Sequence, residues 1–209
     1  LNVIYGYANL MIEEYRNLLP EEGQLYFEAI EEAGARLMRT VELLLHMSAI
    51  ESGTYRPQIA AEDVNALVEG LVRQHALHAG KKGLFMEFHP HADPAIASID
   101  RFGFEQALSN ILDNAVKFTE SGGIRVRSTA CDGALRVEIM DTGCGMSEEF
   151  IHEMFLPFHQ EKTGYSRPYD GLGLGLSLVK KYIDACGGCI TVQSRQGVGS
   201  TFTIVLPQG

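Results

Sequence analysis

Two long runs near the start of the chain repeat apolar residues at alternating spacings of three and four. The first comprises Leu1, Ile4, Ala8, Met11, Tyr15 and Leu18, and the second Phe27, Ile30, Gly34, Leu37, Val41, Leu44 and Ser48. This heptad-like spacing is typical of helices that pack along a seam with other helices. Pro20-Glu21-Glu22-Gly23 separates the runs and has turn chemistry. The pattern predicts a two-helix hairpin over residues 1–53.

A hairpin of two helices cannot bury both of its faces. Pairing with a second copy into a dimeric four-helix bundle would cover the apolar seam. Packing of both helices on the rest of the same chain is the alternative, and the heptad pattern favours the dimer. The heptads stop at Ser52-Gly53-Thr54, where we place the domain boundary.

Residues 54–209 alternate between helical and strand patterns. The periodicity predicts helices over 63–80, 102–118, 148–155 and 174–185, and strands over 85–89, 95–99, 124–129, 135–140, 189–194 and 201–206. Asp132-Gly133 is a hairpin turn pair, and glycines separate the last two strands. Strands joined in hairpins, with the helices gathered on one face, predict an α+β sandwich.

Charge and composition narrow the function classes. The chain has 17 Lys+Arg and 27 Asp+Glu, a formal charge of −10, which argues against nucleic acid or an anionic membrane as the main partner. Its apolar runs are shorter than the ~20 residues that a membrane-spanning helix needs. Four cysteines are too few for a disulfide scaffold and indicate a reducing, cytoplasmic compartment. Because the chain begins at Leu1, we interpret it as a fragment whose parent could carry a membrane anchor.

The first candidate site lies on the predicted helix 102–118. Asn110, Asn114 and Lys117 are spaced i, i+4 and i+7, which places two amides and an ammonium on one helix face. An amide oxygen is a good ligand for Mg²⁺, and a lysine one turn further on could meet the same phosphates. The alternative is a solvated polar face with helix-end capping, which the spacing taken alone favours.

The second candidate is Asp141-Thr142-Gly143-Cys144-Gly145, directly after a predicted strand. The Asp141 carboxylate accepts hydrogen bonds and would suit an exocyclic amine such as that of adenine. The two glycines would let another molecule approach the backbone closely. The alternative is an ordinary Asp-Thr-Gly turn.

The third candidate is Gly171-Leu172-Gly173-Leu174-Gly175-Leu176, which opens the predicted helix 174–185. Glycine-rich backbone at a helix N-terminus presents free N–H groups and the positive end of the helix dipole to an anion. It is not the dinucleotide fingerprint, because Leu176 occupies the place of the third glycine, and the chain has no P-loop motif. The polar residues 160–170 before it predict a mobile loop beside the phosphates.

In this order, the three segments resemble the N, G1 and G2 boxes of sensor histidine kinases, and Phe155-x-Pro157-Phe158 resembles the F box. The tail from Gly187-Gly188 to Leu206-Pro207 is similar to the closing hairpin of that family. Residues 1–53 resemble its dimerisation and phosphotransfer domain, so the resemblance covers essentially the whole chain. It implies a homodimer formed through residues 1–53, followed by an ATP-binding domain of the histidine kinase, gyrase and chaperone type over 54–209.

The resemblance also implies Mg-ATP as the ligand. Asp141 would hold the adenine amine, Gly145 would give room for the base, and Thr201 would assist through water. Asn114 would ligate Mg²⁺ between the phosphates, and Asn110 would support that metal.

Further implied contacts are to the phosphates and the lid. Lys117 would touch phosphate, Phe118 would pack near the nucleotide, and Arg167 would be the lid residue for the γ-phosphate. The resemblance thus assigns the catalytic roles to Asn110, Lys117 and Arg167. Backbone N–H groups of the glycine-rich segment would bind phosphate. The other implied members of the nucleotide site are Gly143, Gly171, Gly173, Leu174, Gly175 and Leu176.

The resemblance places the phosphoacceptor histidine, in a His-Glu-x-Arg-Thr-Pro motif, upstream of Leu1. None of the seven histidines present takes its place; those at 75, 78, 89 and 91 are interpreted as surface residues, with a metal cluster as the alternative. A response regulator receiver domain would receive the phosphoryl group. A pseudokinase scaffold of the same fold is one alternative. An ATPase of the gyrase type is another, although such enzymes commonly place Glu at the position of Asn110.

Overall fold

The computed structural model describes residues 2–15, 20–92, 95–131, 133–161 and 172–208. The chain divides into two compact units, Leu1–Ser52 and Gly53–Gly209. The first unit contains helix α1 (Asn2–Tyr15) and helix α2 (Glu21–Glu51). The predicted turn after Pro20 is wrong for its last three residues, which are already helical. Proline fixes its own φ and lacks an N–H, but it does not prevent the residues that follow it from entering a helix.

Large apolar side chains of α1 and α2 remain exposed in the single chain. Exposed members of the two heptad runs are Met11, Tyr15, Ile30, Leu37 and Leu44, whereas Ile12 and Met47 are buried. A stripe of exposed apolar side chains at heptad spacing is typical of a helix that lacks its packing partner.

The second unit alternates strands and helices. Its elements, in order, are β1 (Ile59–Asp63), α3 (Val64–Lys81), β2 (Phe85–His89), β3 (Ile96–Asp100), α4 (Arg101–Phe118), β4 (Gly123–Cys131), β5 (Ala134–Asp141), α5 (Glu148–Glu153), α6 (Gly175–Ala185), β6 (Cys189–Arg195) and β7 (Gly199–Pro207). The helices and strands predicted over 63–206 are confirmed to within two residues at each end. Strand β1 was not predicted, because its residues do not alternate and are poor in β-branched and aromatic side chains.

Five strands form the main sheet in the order β2-β4-β5-β7-β6. The hairpins β4–β5 and β6–β7 are confirmed, and β5 also pairs antiparallel with β7. Strand β2 pairs in parallel with β4, after a connection through β3 and α4. Strand β3 lies outside this sheet and pairs with β1. The predicted hairpins therefore account for β4 to β7, whereas β2 and β3 pair through longer connections.

One face of the main sheet is buried under α3, α4 and α6, as the sandwich prediction requires. Leu135, Val137 and Ile139 of β5 are buried at alternate positions, and the inward residues of β7 follow the same rule. Asp141 continues the inward series at the end of β5. The alternation thus places a carboxylate at the margin of the apolar layer.

Asp100 fixes the entry into the second unit. Its side chain accepts the Gly103 N–H at 2.7 Å as the cap of α4, and it accepts the Gln58 N–H at 2.9 Å and the Tyr55 hydroxyl. Burial, and then the hydrogen bond to Asp100, raise the pKa of Tyr55 well above its usual range.

Among the described residues, no helix has the length and apolar character needed to cross a lipid bilayer.

Candidate functional site

The Asp141 carboxylate is oriented by backbone donors. Its Oδ1 accepts the Gly143 N–H at 2.8 Å and the Ser200 N–H at 3.2 Å. Burial raises the pKa of Asp141, and these two N–H groups partly oppose that shift. Its Oδ2 has no hydrogen-bond partner in the part of the chain that the structure describes. The strand end therefore presents one anchored and one available carboxylate oxygen.

The loop after Asp141 is tied to the end of α4 and the start of β4. The Thr142 hydroxyl donates to the Ser121 carbonyl at 2.8 Å and accepts the Gly123 N–H at 3.0 Å. The Cys144 N–H donates to the Phe118 carbonyl at 3.2 Å. A Cβ on Gly143 would lie 2.6 Å from that carbonyl oxygen, so the close approach requires glycine.

Two further glycines let the β6–β7 turn close on this loop. Gly145 has φ +67°, and a Cβ there would lie 2.0 Å from the Arg195 carbonyl oxygen. Gly199 has φ +128°, and its Cβ would lie 2.0 Å from the Asp141 carbonyl oxygen. Packing of protein on protein is thus sufficient reason for glycine at Gly145, which the sequence analysis assigned to making room for a base.

The register of β7 bears on the role predicted for Thr201. Asp141 pairs with Ser200, and Met140 pairs with Thr201. Neighbouring strand residues face opposite sides, so Thr201 lies on the face of the sheet opposite to Asp141. The structure places Ser200 beside Asp141 instead, with its hydroxyl 2.9 Å from that of Ser194. The sequence shows a run of small and hydroxyl residues but not which one the register sets opposite Asp141.

The asparagine face of α4 lies against the start of α6. Asn110 is half-buried and donates to the Gln106 carbonyl at 2.9 Å. A Cβ on Gly175 would lie 3.1 Å from Asn110 Oδ1. The structure therefore brings together the first and third candidate segments. Asn114 is also half-buried, and its amide makes no hydrogen bond to any described residue.

Lys117 and Phe118 form the last turn of α4. The Lys117 Nζ lies 5.1 Å from the centroid of the Phe118 ring, a cation–π contact. The Phe118 side chain is 38% exposed. The turn therefore offers a positive charge and a partly open aromatic surface beside the Asp141 loop, to which the Phe118 carbonyl is bonded.

The start of α6 leaves its first N–H groups without a side-chain cap. The N-cap residue Leu174 cannot cap through its own side chain, and the Ser177 hydroxyl donates back to the Leu174 carbonyl at 2.8 Å. Leu174 is buried, whereas Gly175 and Leu176 are half-buried. A helix start with uncapped N–H groups is suited to an anion.

The F-box segment contacts the glycine-rich segment through the backbone. The Phe158 N–H donates to the Gly173 carbonyl at 3.0 Å, and Phe158 has φ +64°. Gly173 has φ +69°, and a Cβ there would lie 2.6 Å from the His159 carbonyl oxygen. The predicted site residues Arg167 and Gly171 lie outside the described residues.

One histidine is buried behind the asparagine face, so its interpretation as a surface residue is wrong. His75 is 4% exposed; its Nδ1 lies 2.8 Å from the Leu71 carbonyl oxygen, and its Nε2 lies 3.3 Å from Asp113 Oδ1. Burial opposes protonation, but the hydrogen bonds to Asp113 and Leu71 outweigh it and raise the pKa of His75. Among the described residues, no three His, Cys, Asp or Glu side chains converge as metal ligands.

Lys82, which no sequence motif singles out, binds the carbonyl end of α4 through its ammonium. Its Nζ lies 2.6 Å from the Val116, 3.2 Å from the Lys117 and 2.9 Å from the Thr119 carbonyl oxygens. These partners are 34 to 37 residues away along the chain. Local pattern carries no signal for such a contact.

The family described as histidine kinase-, DNA gyrase B-, and HSP90-like ATPase matches residues 99–209. An uncharacterized sensor-like histidine kinase of Rhizobium meliloti (strain 1021) is 32% identical over 213 residues, covering 99% of this chain and 40% of that protein. The histidine protein kinase DivJ of Caulobacter vibrioides is 30% identical over 208 residues, covering 99% of this chain and 35% of its own. Full-length ShkA, crystallised in complex with AMPPNP, has a TM-score of 0.77 at 29% identity, covering 97% of this chain and 42% of that one.

The chain therefore belongs to the histidine kinase-, DNA gyrase B-, and HSP90-like ATPase family, and the resemblance drawn from its four boxes is confirmed for this domain. Its relatives named above are histidine kinases. The chain spans less than half the length of those relatives.

Proposed function

We propose that this chain is part of a sensor histidine kinase that binds Mg-ATP in residues 54–209 and transfers the γ-phosphate to a histidine. The observation that carries the proposal is the Asp141 carboxylate, with Oδ1 held by two backbone N–H groups and Oδ2 left open. The amide face of α4 meets the start of α6 at Asn110 and Gly175, and the last residue of α4 is bonded to the Asp141 loop. Together these features match a nucleotide with a base at one end and phosphates at the other.

At the base end, Asp141 Oδ2 accepts a hydrogen bond from the exocyclic amine of adenine. A guanine would present a carbonyl oxygen at that position, and two acceptors would face each other. The register supports Ser200, rather than Thr201, as the neighbour that assists Asp141. Phe118 packs on the nucleotide with its exposed ring.

At the phosphate end, Asn114 ligates Mg²⁺ and Asn110 supports it. The half-buried Asn114 amide has no hydrogen bond within the described part of the chain, which fits a cation that takes few protein ligands and keeps several waters. Bound Mg²⁺ would supply neutralisation of the phosphate charge. The phosphates are contacted by Lys117 and by the uncapped N–H groups of Gly175 and Leu176. Residues of the 162–171 segment, among them Arg167 and Gly171, also contact them.

Phosphoryl transfer to a histidine needs positioning and charge neutralisation more than acid–base chemistry. Asn110 stands where a hydrolytic ATPase of this family would carry a carboxylate, and an amide cannot deprotonate water. The site therefore favours transfer to an imidazole over hydrolysis. In this proposal the acceptor is a histidine upstream of Leu1.

The proposal includes two partners. The exposed heptad stripe on α1 and α2 supports a homodimer through residues 1–53, in which the helices pair as hairpins of a four-helix bundle. The phosphoryl group then passes to an aspartate in the receiver domain of a response regulator. The fragment itself has no proposed contact with nucleic acid or membrane.

The test extends the chain upstream and supplies ATP labelled at the γ-phosphate with Mg²⁺, at concentrations that allow dimers. We expect a protein-bound label that is labile in acid and stable in base, as phosphohistidine is. The same protein carrying Asp141→Asn should remain unlabelled at the ATP concentration that labels the parent. ATP binding without label would favour the scaffold alternative, and absence of ATP binding would reject the proposal.

A further inference from the structure

Lys82 lies in the tight turn that leads from α3 to β2. Its N–H donates to the Ala79 carbonyl at 3.0 Å, and Gly83 follows with φ +73°. The Leu84 N–H returns to the same Ala79 carbonyl at 3.0 Å. Because both flanks of Lys82 are bonded to the end of α3, the point from which its side chain departs is fixed.

The Lys82 ammonium uses all of its donors on α4. An ammonium has three N–H groups, and the structure places the Val116, Lys117 and Thr119 carbonyl oxygens 2.6, 3.2 and 2.9 Å from Nζ. Two neighbouring carbonyls have other donors: the Thr119 N–H serves Ala115, and the Cys144 N–H serves Phe118. Every carbonyl from 115 to 119 is thus bonded, and three of them depend on one side chain.

This contact is favourable on electrostatic grounds as well. The carbonyl end of a helix carries a partial negative charge, which a cation stabilises. Hydrogen bonds from a charged donor are also about twice as strong as neutral ones. Removal of the ammonium would leave three carbonyls at a helix end without their donor, so the last turn would loosen.

The turn that Lys82 holds is the one that carries Lys117 and Phe118. Two of the bonded carbonyls are those of Val116 and Lys117, so the peptide groups on both sides of the Lys117 Cα are restrained. Asp141, in contrast, is held by Gly143 and Ser200 and makes no hydrogen bond or ion pair with Lys82. Lys82 therefore acts directly on the turn that carries Lys117, and it reaches the base end only through the Phe118 carbonyl, which accepts the Cys144 N–H at 3.2 Å.

We propose that Lys82 is a positioning residue for phosphate recognition, which holds the last turn of α4 so that Lys117 is aimed at the triphosphate. The proposal rests on the function proposed above. It assigns to Lys82 no contact with the nucleotide.

The test compares ATP with adenosine in calorimetric titrations of the unmodified chain and of Lys82→Met, which keeps an unbranched side chain one atom shorter and removes its donors. We expect the affinity for Mg-ATP to fall by about tenfold and the affinity for adenosine by less than about twofold, because adenosine does not engage Lys117. The matched control is Lys81→Met, which removes the same charge from the preceding, exposed residue. It should leave both affinities unchanged.

A second arm uses Lys117→Ala, alone and combined with Lys82→Met. If Lys82 acts through Lys117, its substitution should weaken ATP binding by less than about twofold once Lys117 is gone. Equal losses for ATP and adenosine, or additive losses in the double variant, would reduce Lys82 to a purely structural role. If Lys82→Met does not fold, Lys82→Arg replaces it, since arginine keeps the charge but not the three-carbonyl geometry. This variant must also lose more affinity for ATP than for adenosine.

The outcomes separate the two proposals. An unmodified chain that does not bind ATP would overturn the proposed function and this inference with it. An unmodified chain that binds ATP, with Lys82→Met binding ATP equally well, would overturn only the role of Lys82.

Discussion

The two ends of the candidate site are built differently. At the base end, the loop after Asp141 is bonded to α4, β4 and β7, and three of its close approaches require glycine. At the phosphate end, the Asn114 amide has no hydrogen bond to a described residue, and the start of α6 has no side-chain cap. The base end is thus preorganised, whereas the phosphate end has polar groups without a partner among the described residues.

This difference has a consequence for energetics. Groups that are already bonded and packed lose little freedom on binding, so they contribute affinity and selectivity at low entropic cost. Groups without partners gain bonds on binding but must be ordered by the ligand. Substitutions at the base end should therefore weaken the fold and the binding of adenosine and ATP alike. Those at the phosphate end should weaken only the binding of phosphorylated ligands.

The largest effect is expected for Gly145→Ala. A Cβ at this position would lie 2.0 Å from the Arg195 carbonyl oxygen and would be attached to a residue with φ +67°. We expect the free energy of unfolding to fall by about 3 kcal/mol, from the clash and the backbone strain together. Urea denaturation followed by circular dichroism measures it.

Gly133→Ala is the matched control, since Gly133 also has positive φ but open space around its Cβ. It should lose only about 1 kcal/mol, from backbone strain alone. Equal losses for the two variants would show that the Asp141 loop is not tightly packed on the β6–β7 turn.

The next effect is expected for Asp141→Asn. The amide offers a donor where the carboxylate offered an acceptor, so both ATP and adenosine should bind at least about tenfold more weakly. Calorimetric titration measures both affinities. The control is Asp184→Asn on the exposed end of α6, which should bind as the unmodified chain does. Unchanged affinity for adenosine in the Asp141 variant would remove this residue from base recognition.

Asn114→Ala should act on the triphosphate alone. We expect ATP affinity in Mg²⁺ to fall by about tenfold, to the level measured in EDTA, with adenosine binding unchanged. Thermal stability should hardly change, because the amide has no hydrogen bond to any of the residues that the structure describes. The control is Gln74→Ala, an exposed amide on α3. If ATP binding to the unmodified chain did not respond to Mg²⁺, the metal role of Asn114 would be wrong.

The smallest effect concerns the pair that lies behind the asparagine face. The folded chain raises the pKa of His75, so the pair with Asp113 stabilises the fold fully below the unfolded pKa of about 6.5 and loses this contribution as the pH rises through the folded pKa. Between about pH 6 and about pH 9 we expect a loss of about 1 kcal/mol or less, because Asp113 is half-exposed.

Denaturation at several pH values checks this contribution. The His75→Gln variant should lack the fall in stability with pH, whereas His78→Gln, which changes an exposed histidine of the same helix, should keep it. A pH slope that survives in His75→Gln would assign the titration to another group.

Much of the candidate site could be predicted from local pattern. Asn110, Asn114 and Lys117 share a helix face because of helical spacing alone, and Asp141 follows a strand whose alternation is plain in the sequence. Local pattern does not predict which hydroxyl residue of β7, Ser200 or Thr201, lies beside Asp141. Hydroxyl residues stand side by side in β7, and the strand that pairs with them lies some sixty residues away in the chain.

The sequence by itself determined the elements other than β1, the four boxes and the family resemblance, because these depend on periodicity and residue chemistry within short windows. Only the tertiary structure decided the pairing of β1 with β3, the parallel join of β2 to β4, the burial of His75 and the contact of Lys82 with α4. Each of these joins residues that are far apart in the chain. Their free energy comes from packing and bonds formed after the chain has folded, which no local pattern records.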